Sequence, residues 1–163
     1  MALPERHSLH DPTPSLRLVL FQPDIPGNTG TILRLAACLN LTVDIIEPAG
    51  FRLDDKSLRR AGMDYLERAA MRLHDDWQAF ENWRRDEGRR LIVLTTAAEH
   101  SYTDFAYQPG DCLLFGRESA GVPDFVHDTA DHRLTIKMAQ TGRSLNVAIS
   151  AAMVAGEAVR QVS

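Results

Sequence analysis

Long apolar runs are absent from this 163-residue chain. None approaches the roughly 18 consecutive residues that a membrane-crossing helix needs, so no membrane anchor is expected. The opening segment, MALPERHSLHDPTPS, lacks the apolar block of a secretory signal, and residues 1–15 are expected to form a disordered tail. Cysteine is scarce. Cys38 and Cys112 stand far apart and belong to no CxxC or Cys/His spacing. That argues against a disulfide framework or a structural zinc site and fits a reducing, cytoplasmic setting. His7 and His10 fall in the tail, while His74, His100, His127 and His132 share no ligand spacing, so no metal is expected. The lack of a GxSxG elbow leaves a serine hydrolase without support.

Lysine is nearly missing too. Of 18 basic residues only Lys56 and Lys137 are lysine, and the rest are arginine, whose planar fork of donors suits phosphate and carboxylate. A net charge of −4 would oppose a nucleic-acid partner if charge were spread evenly. It is clustered instead. Arg52, Lys56, Arg59 and Arg60 form one group, and Arg84, Arg85, Arg89 and Arg90 form another inside WRRDEGRR. The second group reads equally well as a solvated helix face.

What is present is an alternation. β-rich runs at 17–22, 41–46, 89–96, 111–116 and 132–138, with a weaker one at 70–73, are separated by helical patterns at 28–39, 55–62, 75–86 and 145–162. Strand–helix alternation implies an α/β fold, a mostly parallel sheet with helices on both faces. Runs such as LIVL are apolar on both sides, as a buried parallel strand requires. No repeat or linker interrupts residues 16–163, which read as one domain with 44% hydrophobic residues to build its core.

Ligands of such sheets bind beyond the carboxyl ends of the strands. The segments there are rich in glycine and small polar residues: PDIPGNTG, EPAGF, TTAAEH, RESAG and AQTGRSLN. Their similarity favours one shared pocket. In PGNTGTILRLA, Asn28 or Thr29 can cap a helix, and Arg34 can reach back over its mouth. The pattern matches neither GxGxxG nor GxxxxGK[ST], so it carries no dinucleotide fingerprint or P-loop. In LLFGRESAGVPD, Gly116 allows a flat group to lie on bare backbone, and Glu118 can either bind a positive group or cap a nearby short helix. In TIKMAQTGRSLN, Ser144 is a natural N-cap, which leaves the side chain of Asn146 for another contact. Small residues Ala148, Ala152 and Gly156 recur along the last helix beside Ile149, Met153 and Val159, as sheet packing or as a self-complementary dimer face.

Taken together and in this order, IPGNTGTILRLA, LLFGRESAGVPD and IKMAQTGRSLNVAIS resemble the three motifs of the SpoU (TrmH) branch of the SPOUT methyltransferases. The resemblance is nearest to the short TrmL-type tRNA (cytidine/uridine-34) 2′-O-methyltransferases, where it extends to IIEPAGF, DDKSLRRAGMDY and LTT and covers about residues 16–160. Two positions depart from the usual pattern: Lys137 replaces the proline of IPM, and FGRES replaces FGPE(T/S).

The resemblance implies a C-terminal trefoil knot and S-adenosyl-L-methionine as methyl donor, leaving as S-adenosyl-L-homocysteine. It implies cofactor contacts at Leu94, Gly116, Ile136 and Ser144, with Thr95, Glu118, Gly121, Met138 and Leu145 shaping the site. It implies a catalytic group of Arg34, held by Asn28, with Ser144 and Asn146 nearby, in a homodimer whose pocket lies close to the interface. RNA contacts to the tRNA anticodon stem-loop are expected from Arg52, Lys56, Arg59, Arg60 and Arg143, with Tyr65 a lesser candidate for base stacking. A different tRNA or rRNA target, or a non-catalytic knotted RNA-binding module, are the alternatives.

Overall fold

In the computed structural model, which describes residues 15–64, 67–68, 70–140 and 142–163, six strands share one parallel sheet. They are β1 (Arg17–Phe21), β2 (Thr42–Ile46), β3 (Met71–His74), β4 (Leu91–Leu94), β5 (Cys112–Phe115) and β6 (His132–Leu134), in the spatial order β3-β2-β1-β5-β4-β6. Register is set by pairs such as Val19 with Asp44 on one side and with Leu114 on the other. The expected tail lies outside the described residues except for Ser15.

Five helices flank the sheet among the described residues: α1 (Pro26–Leu39), α2 (Asp55–Arg60), α3 (Trp77–Asp86) and α4 (Asp124–Thr129) between strands, and α5 (Val147–Val162) after the last strand. Because side chains alternate along a strand, the sheet presents two apolar faces. Leu18, Leu20, Val43, Ile45, Leu113 and Phe115 meet Ile32, Leu33 and Ala36 of α1 and Ala151, Val154 and Ala155 of α5. On the other face Val19, Phe21, Ile46, Val93 and Leu114 meet Phe80 of α3 and Val126 of α4.

Several element boundaries differ from the sequence expectation. α1 starts at Pro26, not Asn28; proline at the first helical position forfeits only an N–H that has no helical partner. Ile25 precedes it without a side-chain cap, so neither Asn28 nor Thr29 caps α1. α5 starts at Val147, and its cap is Asn146, not Ser144: Asn146 Oδ1 accepts from Ala148 N at 2.7 Å and Ile149 N at 3.4 Å. β6 ends at Leu134, well short of 138, because the next backbone groups turn to another loop. Thr135 N donates to His100 O at 2.8 Å, and Thr135 O accepts from Tyr102 N at 2.9 Å.

Three arginines of the second cluster are built into the fold, while Arg85 is exposed on α3. Arg84 is buried, with Nε 2.6 Å and Nη2 2.7 Å from the Glu81 carboxylate. Arg90 holds Asp111 at 2.8 and 2.7 Å, and Arg89 donates to the carbonyls of Ser15 and Gly110. Beside them Arg17 grips the fully buried Asp44 at 2.7 and 2.9 Å, and His74 Nε2 lies 2.7 Å from the same carboxylate. Burial pushes the Asp44 carboxyl upward, but the bonds from His74 and Arg17 outweigh it and hold it below the usual carboxylate value.

Candidate active site

A cavity of about 540 Å³ opens beyond the carboxyl ends of β4, β5 and β6. Each expected cofactor position lines it: Leu94 at the end of β4 and Thr95 after it, Gly116, Glu118 and Gly121 after β5, and Ile136, Met138, Ser144 and Leu145 between β6 and α5. Asn28 and Asn146 line it too. The EPAGF loop after β2 is absent from this wall. It braces the loop after β1 instead, where Gly50 N donates to Pro23 O at 2.8 Å and a Cβ on Gly50 would lie 2.9 Å from the Asp24 Cβ.

The loop after β5 is a tight turn. Arg117 N donates to Gly121 O at 2.9 Å, and Gly121 N returns a bond to Arg117 O at 2.8 Å. Gly121 has φ +65°, which glycine adopts without a Cβ clash. A Cβ on Gly116 would come within 2.5 Å of the Gly121 carbonyl carbon. Two glycines therefore let the chain double back beside the cavity.

Polar side chains link the three motifs. Asn146 caps α5 with Oδ1 and donates from Nδ2 to Asn28 Oδ1 at 2.9 Å. Asn28 Nδ2 in turn lies 3.5 Å from Glu118 Oε1, and Glu118 Oε2 accepts from Asp24 N at 3.0 Å. Glu118 thus caps no helix; α4 follows Pro123 without a side-chain cap. Sequence reasoning passed over Asp24, although it sits in the PDIPGN run. The Asp24 carboxylate bonds the Ser119 hydroxyl and stands 3.7 Å from Arg117 Nε. Its carboxyl is held below the usual range, chiefly by the contact with Glu118 and then by Ser119. Of these two carboxylates only Glu118 lines the cavity, with Arg117 beside it.

Arg34 does not face this cavity. It lies six residues beyond Asn28, and at 100° per residue that is about 120° away around the helix. Arg34 shares a helix face with Gly27, Gly30 and Thr31, and the four line a second cavity of about 310 Å³ together with Ala61, Gly62, Met63 and Glu67. The first turn of α1 separates the two spaces: Ile25 and Asn28 line the first, Pro26 and Gly27 the second. Within the chain Asn28 bonds Asn146 and Glu118, while Arg34 pairs with Glu67, with Nε 3.7 Å from Oε1. Arg52, Lys56, Arg59, Arg60 and Arg143 are all exposed. Arg59 pairs with Asp55 at 2.7 Å. Tyr65 lies outside the described residues.

The last helix splits its small-residue stripe. Ala148 is buried against the core, whereas Ala152 and Gly156 are exposed beside Ile149 and Met153. Ile25, Met138 and Leu145 add exposed apolar surface at the cavity rim. Among the described residues, no group of three or more His, Cys, Asp or Glu side chains is placed to hold a metal ion, and no helix is long and apolar enough to cross a membrane.

The SpoU rRNA Methylase family model matches residues 15–156. A protein of Beijerinckia indica named tRNA (cytidine(34)-2′-O)-methyltransferase is 57% identical over 145 residues, covering 89% of this chain and 91% of that protein. A solved structure described as giving structural insights into the 2-OH methylation of C/U34 on tRNA superposes with a TM-score of 0.82 at 40% identity, covering 90% of this chain and 95% of the other. The SpoU methyltransferase AviRb from Streptomyces viridochromogenes, solved in complex with the cofactor AdoMet, gives a TM-score of 0.80 at 26% identity, covering 99% of this chain and 66% of AviRb.

Proposed function

The chain belongs to the SpoU methylase family, and from that membership we propose that it transfers the methyl group of S-adenosyl-L-methionine to the ribose 2′-hydroxyl of the wobble nucleotide, position 34, of tRNA. The observation that carries this reading is the joining of the three motifs around one cavity through Asn146, Asn28 and Glu118, in a chain whose 57%-identical relative bears the name of that activity. The cofactor is S-adenosyl-L-methionine, the product S-adenosyl-L-homocysteine, and the cavity suits them. Leu94, Gly116, Ile136 and Leu145 give an apolar, glycine-backed wall for a purine, and Glu118 supplies negative charge for a cationic donor.

When bound, the cofactor supplies a methyl group already activated by a sulfonium. The remaining task is alignment and removal of one proton. A guanidinium makes a poor base because it stays charged under working conditions, so Arg34 is read as an orienting and electrostatic group. It orients the target nucleotide through the phosphate, where its planar fork binds two oxygens at once. Ser144 or that phosphate receives the hydroxyl proton. Asn28 and Asn146 hold the dividing wall between the two cavities in place.

The RNA partner is the tRNA anticodon stem-loop. Arg52, Lys56, Arg59, Arg60 and Arg143 contact its phosphates, and cytidine or a modified uridine occupies the site. Two copies pair through exposed Ile149, Ala152, Met153 and Gly156 of α5, forming a homodimer whose interface borders the cavity. Residues 16–163 form a single domain, the segment from β6 to the C-terminus threads a trefoil knot, and the enzyme works in the cytoplasm, where tRNA is modified. No metal takes part.

The test is nucleoside mass spectrometry of tRNA lacking wobble 2′-O-methylation after incubation with enzyme and S-adenosyl-L-methionine. The expected result is 2′-O-methylcytidine or a 2′-O-methyluridine derivative at position 34, cut to a small residual rate in Arg34→Ala while cofactor affinity persists. Methylation at another tRNA or rRNA position would overturn the wobble assignment, and cofactor binding without transfer to any RNA would overturn catalysis.

A further inference from the structure

Glu67 is a buried carboxylate that none of the motifs includes, and it sits in the cavity that Arg34 faces. It is 7% exposed, whereas the Arg34 side chain is 76% exposed. One half of the Glu67 carboxylate has a local purpose. Oε2 accepts from Asp64 N at 3.1 Å while Asp64 Oδ1 accepts from Glu67 N at 2.9 Å, the reciprocal bonding of a capping box. That exchange fixes the carboxylate and leaves Oε1 without a part in it. Oε1 is the atom that stands 3.7 Å from Arg34 Nε.

We propose that Glu67 is the positioning residue of Arg34: a rigid, buried charge that sets the direction of an otherwise mobile guanidinium toward the target nucleotide. The inference rests on the function proposed above. A separation of 3.7 Å is too long for a hydrogen bond, so the attraction is Coulombic and leaves the guanidinium donors available. A tighter, two-pronged pair would occupy the fork that a phosphate needs. Solvent screens the pair on the Arg34 side, so the attraction biases the direction of the guanidinium without clamping it. Gly27, Gly30, Ala61 and Gly62 line the same cavity with little side-chain bulk, which leaves room for a nucleotide beside the pair.

The experiment compares Glu67→Gln, Arg34→Ala and the double variant in the full-length protein. Glutamine keeps the length and the acceptor for Asp64 N and removes only the charge. The expected result is a kcat lowered roughly ten-fold, through misalignment of the phosphate contact that Arg34 makes, with unchanged KM for S-adenosyl-L-methionine and unchanged melting temperature. In the Arg34→Ala background the same substitution should lower kcat no further. Equal losses in both backgrounds would overturn the proposal, because Glu67 would then act independently of Arg34. A second readout needs no activity: ¹⁵N relaxation of the Arg34 Nε–H signal, identified by its disappearance in Arg34→Lys. Greater mobility in Glu67→Gln supports the tether, and unchanged mobility overturns it. A wild-type protein that methylates no RNA would overturn the functional reading, while the relaxation measurement still decides on Glu67.

Discussion

Asn146 serves the fold with one end of its amide and the site with the other, and substitution can separate the two. Its Oδ1 caps α5, and its Nδ2 donates to Asn28. Asn146→Ala removes both. Loss of a cap costs about 1 kcal/mol, and for a chain of 163 residues that corresponds to a melting temperature lowered by about 2–4 °C. Asn146→Asp keeps an acceptor for Ala148 N and Ile149 N and adds negative charge at the start of α5, which is favourable by about 0.3–1 kcal/mol. It loses the donor, however. Asn28 can then turn its amide to meet the new carboxylate, but only by presenting its carbonyl to Glu118, so one of the two links always fails. The aspartate variant is therefore expected to melt at or above the wild-type temperature and still lose turnover, whereas the alanine variant loses both. Calorimetry and a tRNA methylation assay on the same preparations read the two effects. Equal melting temperatures for the two variants would refute the capping assignment, and wild-type turnover in Asn146→Asp would refute the bridge.

Gly116→Ala places a Cβ within 2.5 Å of the Gly121 backbone, which cannot rotate away as a side chain would. The turn must open, and S-adenosyl-L-methionine affinity measured by titration calorimetry is expected to fall by about ten-fold or more; unchanged affinity would place the cofactor elsewhere. Asp44→Asn breaks a buried pair and is expected to cost about 3–5 kcal/mol at pH 7, measured by urea unfolding. Since the folded Asp44 carboxyl lies below its unfolded value of about 3.9, the unfolded chain binds the proton more readily. The stability it contributes is present above that value and is lost as pH falls through the folded one. Wild-type stability should thus drop more steeply than that of Asp44→Asn between pH 5 and pH 2.

The α/β class, the parallel sheet and the position of the cavity at the strand ends were legible because they follow from local patterns: apolar runs of strand length and glycine-rich segments after them. Helix starts were less legible. Ser144 and Asn146 are both good caps, and the choice depends on where the chain leaves β6, which Thr135 settles by bonding to His100 and Tyr102. Long-range pairing explains the arginines. Arg84 and Arg90 look like surface charge until Glu81, Asp131 and Asp111 are seen beside them; 21 residues separate Arg90 from Asp111, and 47 separate Arg84 from Asp131.

Arg34 shows where a motif stops being informative. Its nearness to Asn28 in sequence suggested a shared mouth, yet a helix rotates about 100° per residue, and the two side chains leave α1 on different faces. The spacing Gly27, Gly30, Thr31, Arg34 already marked the second face, since positions i, i+3, i+4 and i+7 lie together. What lay opposite that face was not local information. Glu67 reaches it from a segment more than thirty residues away, brought there by α2 and the turn at Gly62. The two cavities thus flank the first turn of α1, and the proposed function requires a nucleotide held by both to lie across that turn, with Asn28 on one side and Gly27 on the other.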